Sequence, residues 1–122
     1  LEICYDIMFP EIHRFYATQG ADMVIVISAS SDSSKAAMER IVPARSLENT
    51  VYTIYCNNVG PFRDGAEFFG GSALYSPLGD EIAKAGNGEE ILITYADKGV
   101  VEHARTVRPQ LRDLRGDIRW IL

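Results

Sequence analysis

The sequence predicts an α/β fold, a mixed sheet with helices packed on one face. Three observations carry this. Met23-Val24-Ile25-Val26-Ile27 is an unbroken, largely β-branched apolar run, the pattern of a parallel-sheet strand buried on both faces. Helix-start signals flank it, at Pro10 and in the serine-rich stretch 28–34. Beyond residue 71, Pro77-Leu78-Gly79 and Asn87-Gly88 punctuate the chain at hairpin spacing. The implied order is β-α-β-α-β, then an antiparallel meander and a last helix.

Each element has its own warrant. Leu1-Glu2-Ile3-Cys4-Tyr5 alternates as a short strand. Pro10 sits where a helix's first turn needs no N–H, Glu11 complements the helix dipole, and Gly20 ends the helix. Ile12, Phe15 and Tyr16 form its expected apolar stripe. Lys35 to Glu48 is helical in composition, with Pro43 expected to kink or divide it. Val51 to Cys56 is rich in strand formers, which places Cys56 in the core. After a loop at Gly60–Gly71, Ser72–Tyr75, Asp80–Ala85 and Glu90–Tyr95 read as hairpin strands. Lys98 to Val107 is a helix that turns Val100, Val101, Ala104 and Val107 inward, and Pro109 stops it.

Composition narrows the function. The chain has 122 residues, 47% hydrophobic and 24% charged, as in one globular domain with a real core. A net charge of −5 removes the basic footprint of a nucleic-acid binder. Arg105, Arg108, Arg112, Arg115 and Arg119 read as a solvated or interface tail. The longest apolar run, Met23 to Ile27, is far shorter than the roughly 20 residues of a membrane span. Leu1 already lies in a strand, with no signal-peptide pattern before it. Cys4 and Cys56 make no disulfide framework, so a reducing, cytoplasmic setting is expected.

Among the candidates for chemistry, Cys4 stands out by position. It ends a strand just before a helix start, a placement that exposes a side chain at a sheet edge and can lower a thiol pKa. A small buried hydrophobe is the alternative at that position. His13 and His103 lack carboxylate or Cys partners at metal spacing and read as surface or helix-packing residues, so no metal is expected. Gly70-Gly71, with Gly60 and Gly65, is not a phosphate loop, since no helix follows. Arg45 and Glu48 read as a structural helix-end pair.

Cys4-Tyr5-Asp6-Ile7-Met8-Phe9-Pro10-Glu11 resembles the nucleophile segment of the nitrilase (carbon–nitrogen hydrolase) superfamily. Amidase-like branches typically read Cys-Tyr-Asp, one variable residue, then Arg-Phe-Pro-Glu. The likeness continues in order through Arg45-Ser46-Leu47-Glu48-Asn49, Val51-Tyr52, Asn57-Asn58-Val59-Gly60, Phe69-Gly70-Gly71-Ser72 and Pro77-Leu78-Gly79-Asp80. Arg108-Pro109 and Leu111-Arg112 echo the family's terminal segment, so the likeness spans nearly the whole chain.

The resemblance implies thiolate attack on an amide or nitrile carbon, loss of ammonia or an amine, and hydrolysis of a thioester, with no cofactor. By position Cys4 is the nucleophile, and the Tyr5 backbone N–H contributes to the oxyanion hole. Ser28-Ala29-Ser30 fall where family members line the substrate pocket; an ordinary polar loop is the alternative. The family's glutamate base, lysine and second glutamate lie N-terminal to its cysteine. Residues 1–122 are therefore expected to form a single partial domain, the C-terminal half of an α-β-β-α sandwich with the N-terminal half absent. Glu2, two residues from Cys4 on the same strand, cannot be the base. An ordinary Cys4 pKa and no activity of the isolated segment on amides are the resulting expectations.

Met8 and Asn58 replace family arginines, which weakens any inference of a carboxylate-bearing substrate. Tyr5-Asp6 leans towards amides rather than nitriles. A different class of function is a non-catalytic module that buries its uncovered sheet face by self-association, as a homo-oligomer or with the absent half. An unrelated cysteine hydrolase of the papain or class I glutaminase type fits poorly, for want of a Gly-X-Cys-X-Gly elbow and of a supported histidine.

Overall fold

The computed structural model describes residues 1–116, so Arg119 lies outside the described residues. The chain runs β1 (Glu2–Ile3), a 3-10 turn (Cys4–Met8), α1 (Pro10–Thr18), β2 (Met23–Ser28), a second 3-10 turn (Asp32–Ser34), α2 (Lys35–Asn49) and β3 (Tyr52–Asn57). It continues through β4 (Val59–Pro61), β5 (Glu67–Phe69), β6 (Ala73–Tyr75), β7 (Glu81–Lys84) and α3 (Lys98–Val107). The main sheet has five strands in the order β1-β2-β3-β6-β7. β1, β2 and β3 run parallel, and β6 and β7 add antiparallel neighbours. The expected α/β class and mixed sheet are present. The 60–71 segment, expected as a loop, carries the small β4–β5 hairpin.

Strand parity sorts the core. Val26, Tyr55, Ala73 and Tyr75 point at α2, where Met38 and Val42 are buried against them. Val24 meets Ala17 of α1 on the same face. Met23, Tyr52 and Leu74 point the other way and receive Val101 of α3. Two helices thus cover one face, as expected, while α3 takes one end of the opposite face. Arg105 pins α3 there through Asp22 Oδ1 at 2.9 Å and the Ala21 carbonyl at 2.7 Å.

Several expectations are corrected. β2 is not buried on both faces: Ile25 and Ile27 are 39% and 43% exposed on the side that α3 leaves open. Cys56 shares that parity and is exposed, not core. Glu90–Tyr95 forms no strand, because it has no strand partner among the described residues, and Ile91, Ile93 and Tyr95 stand in solvent. In α1 the buried positions are His13 and Ala17, while Phe15 is exposed. In α3 Val107 faces outward.

Pro43 does not divide α2, which runs unbroken from Lys35 to Asn49. Val42 on one side of it and Arg45 and Ser46 on the other are buried, so both halves are anchored by packing, which offsets the one backbone bond lost. The expected Arg45–Glu48 pair forms at 2.8 Å. Arg45 reaches further than a helix-end pair, donating from Nε to the Ile7 carbonyl at 3.0 Å and from Nη2 to the Met8 carbonyl at 3.3 Å. One guanidinium thereby ties α2 to the turn after Cys4. Arg45→Ala leaves both carbonyls without this donor and should lower stability by about 2–3 kcal/mol, read as a reduced urea midpoint; an unchanged midpoint would refute the tie.

Candidate active site

β1 stops at Ile3 because Cys4 turns into the left-handed region, with φ of 50°. A non-glycine residue there costs roughly 1–2 kcal/mol and persists only where its surroundings over-determine it. They do so here. Asp6 Oδ2 accepts from the Ile3 N–H at 3.0 Å, and the Asp6 carbonyl accepts from the Phe9 N–H at 3.0 Å. Ile7 is fully buried in the α2 core, and Arg45 holds the next two carbonyls. Pro10 then starts α1 as expected.

The turn delivers Cys4 Sγ to the end of β2. Ser28 Oγ donates to Sγ at 3.6 Å and lies 2.7 Å from Ser30 Oγ. The Tyr55 hydroxyl donates to Ser28 Oγ at 3.3 Å. Ser28, Ala29 and Ser30 therefore meet the thiol itself. The Ala29 backbone N–H is the largest influence lowering the Cys4 pKa; the Ser28 and Ser30 hydroxyls and the Tyr5 N–H add to it, against the opposing effect of burial. All of these groups are neutral dipoles aimed at sulfur, and they favour thiolate without a full positive charge. The expectation of an ordinary Cys4 pKa is thus overturned. Burial pushes the Tyr55 hydroxyl pKa up, keeping that group a hydrogen-bond donor, and burial raises the Cys56 thiol.

Residues that sequence reasoning did not single out complete the frame. The Asn57 amide clamps the serine loop: Oδ1 accepts from the Ser30 N–H at 2.7 Å, and Nδ2 donates to the Ser30 and Gly70 carbonyls at 3.1 and 3.0 Å. Gly70, with φ of 64°, has no room for a side chain; a Cβ would sit 2.6 Å from the Gly86 carbonyl. Tyr55 was legible only as a strand residue, and its role depends on its parity with Ser28 across the β2–β3 ladder.

Other candidates lie elsewhere. His103 is exposed on α3, as expected. His13, expected at the surface or in helix packing, is fully buried between Glu2 and Thr53. A groove of about 590 Å³ runs along Cys56, Asn57, Ser72 and Glu90 but is not lined by Cys4. The Tyr5 ring is 68% exposed and packs edge-on against Phe9. Among the described residues no helix is long and apolar enough to cross a membrane.

The site is thus a strained cysteine at a strand end, served by backbone N–H groups and hydroxyls. The chain belongs to the carbon–nitrogen hydrolase family, whose model matches residues 1–106. It is 35% identical over 115 residues to an (R)-stereoselective amidase of a Pseudomonas species, covering 94% of this chain and 42% of that protein. It matches the crystal structure of a carbon–nitrogen hydrolase from Helicobacter pylori G27 with a TM-score of 0.88 and 32% identity, covering 95% of this chain and 45% of that one. It also matches a variant of the amidase from Nesterenkonia sp. AN1 that carries the acetamide moiety of fluoroacetamide covalently at its active-site cysteine. That match has a TM-score of 0.67 and 31% identity, covering 91% of this chain and 41% of the other. The chain thus spans less than half the length of the relatives it matches.

The two thiols give an internal comparison. A lowered pKa at Cys4 and a raised one at Cys56 mean that, below both values, Cys4 holds the larger thiolate fraction. Iodoacetamide should therefore label Cys4 faster than Cys56 at neutral pH, with the Cys4 rate levelling off at lower pH. Ser28→Ala and Tyr55→Phe should each move the Cys4 profile upward and leave Cys56 unchanged. Equal rates, or profiles that these variants leave in place, would contradict the hydroxyl chain.

Proposed function

We propose that this chain carries the nucleophile of a carbon–nitrogen hydrolase that cleaves a non-peptide amide through a cysteine thioester. The observation that carries the reading is the thiol geometry: Cys4 is held at φ of 50°, with Ser28 Oγ at 3.6 Å and the Ala29 N–H lowering its pKa. The amidase relatives and the family model support the amide class. The adduct in the Nesterenkonia enzyme keeps the acetamide moiety, so it supports a strongly nucleophilic active-site thiol in that relative, the property proposed here for Cys4.

In this reading Cys4 Sγ forms a bond to the amide carbon, and the C=O pair moves onto oxygen. The Tyr5 N–H, one of the groups that lower the Cys4 pKa, stabilises the oxyanion in this reading. Collapse re-forms C=O and breaks C–N, and the nitrogen leaves with a proton. Water then adds to the thioester, the C–S bond breaks, and the thiolate returns with the acid as product. Ser28, Ser30 and the Ala29 N–H hold the thiolate.

None of the groups that shift Sγ is a carboxylic acid or an ammonium, and in this reading the leaving nitrogen takes its proton from the glutamate and lysine that the family resemblance implies. Isolated residues 1–122 therefore form a covalent adduct but do not turn over. Incubation with fluoroacetamide should place the acetamide moiety on Cys4, mapped by peptide mass spectrometry, and not on Cys56. Cys4→Ala should abolish the adduct, and a simple aliphatic amide should release no ammonia. An adduct confined to Cys56 would defeat the assignment, and sustained ammonia release would defeat the need for an outside acid.

One observation favours a second reading, a self-associating module. Ile3, Ile25 and Ile27 leave an apolar sheet face 59%, 39% and 43% exposed, more than a lone monomer tolerates comfortably. A second copy, or the remainder of the family fold, would cover it. Sedimentation of the chain should show concentration-dependent association, and Ile25→Lys with Ile27→Lys should abolish it. A monomer at every concentration would remove this reading and leave the first intact.

A further inference from the structure

Beneath α1 lies a buried polar chain that the thiol chemistry does not use. Glu2, His13 and Thr53 each show no solvent exposure. Glu2 Oε1 is 2.9 Å from His13 Nδ1, and His13 Nε2 is 3.1 Å from Thr53 Oγ1. The imidazole thus bridges the carboxyl of the edge strand and the threonine hydroxyl of β3, one ring nitrogen to each. Glu2 Oε2 is buried without a hydrogen-bond partner among the described residues. Such a group costs stability that an apolar residue of similar size would not.

Its place in the fold suggests what offsets that cost. β1 is an edge strand of two residues, paired with β2 alone. So short a ladder holds little by itself, yet it must carry a left-handed residue immediately after Ile3. The Glu2 side chain supplies the missing anchor two residues before Cys4. His13 sits on the helix that follows the turn, so the Glu2–His13 contact closes the chain around Cys4–Met8. Thr53 then fastens that closed loop to β3, two residues before Tyr55 of the hydroxyl chain.

We infer that Glu2, His13 and Thr53 are positioning residues that hold the Cys4 turn in register with Ser28, Ala29 and Tyr55. The inference rests on the proposed role of Cys4 and extends it: a directional polar latch fixes an orientation that apolar packing leaves looser.

The test replaces the latch with an apolar pair of similar size, Glu2→Leu with His13→Leu in the full chain. Removing both partners together avoids leaving one buried charge unpaired, so the fold should survive with its thermal midpoint retained or raised. The rate of iodoacetamide labelling at Cys4, relative to Cys56 and as a function of pH, reads the position of the thiol. We expect Cys4 to slow at neutral pH by about tenfold, the effect of one pKa unit. The direction is diagnostic, because loss of alignment with the Ala29 N–H and Ser28 slows labelling.

A folded double variant whose Cys4 labels at the wild-type rate or faster would overturn the inference. Should that variant fail to fold, Thr53→Val carries the test: it keeps the Glu2–His13 contact, removes the tie to β3, and should slow Cys4 in the same direction. An unchanged rate there would overturn the inference equally. Wild-type behaviour separates the two proposals. A wild-type Cys4 no more reactive than Cys56 defeats the nucleophile reading, whereas a reactive Cys4 that the variants leave untouched defeats the latch alone.

Discussion

The left-handed backbone at Cys4 is the constraint on which the rest of the site depends. A strand that continued past Ile3 would send residue 4 along the sheet edge, away from the end of β2. Reversal at a single non-glycine residue costs energy and must be held from outside. The structure holds it from each direction available: Asp6 within the turn, Ile7 from the core, Arg45 from α2 and Glu2 from the strand. Most of what is unusual in this small domain, including a buried arginine and a buried Glu–His contact, gathers around this one dihedral.

The same economy governs the thiol. A nearby cation is the usual means of lowering a cysteine pKa. Here the work is divided among dipoles, the Ala29 and Tyr5 N–H groups and the Ser28 and Ser30 hydroxyls, with Tyr55 donating behind Ser28. Dipoles act only when aimed, since their interaction falls away within hydrogen-bond range. That requirement explains why Asn57 spends its side-chain amide on the Ser30 backbone and the Gly70 carbonyl. It holds the loop that holds the thiol.

Much of this was legible in the sequence, and the boundary follows the range of the interactions. Local signals served well. Pro10 starts α1, Lys98–Val107 is a helix, and the strand-end position singled out Cys4, whose thiol the structure surrounds with hydrogen-bond donors. Ser28, Ala29 and Ser30 were placed near substrate from the motif, and they meet the thiol. What sequence could not show depends on partners far along the chain. Arg45 finds its carbonyls 38 and 37 residues away, and His13 finds Thr53 40 residues away. Parity errors had the same origin. Cys56 and Ile27 look like core in composition, yet both lie on the face that α3 leaves open. Glu90–Tyr95 has strand composition, but composition supplies no partner to pair with.

The two faces of the sheet therefore carry different parts of the chemistry. Ser28 and Tyr55 share parity with Val26 on the face closed by α1 and α2, and the Glu2 side chain lies on that face too. Everything that holds Cys4 and tunes its thiol is inside this chain and already packed. The opposite face, with Ile3, Ile25, Ile27 and Cys56, contributes nothing to the thiol's hydrogen bonds. Cover for that face can therefore be gained or lost without touching the hydrogen bonds that hold the Cys4 thiol.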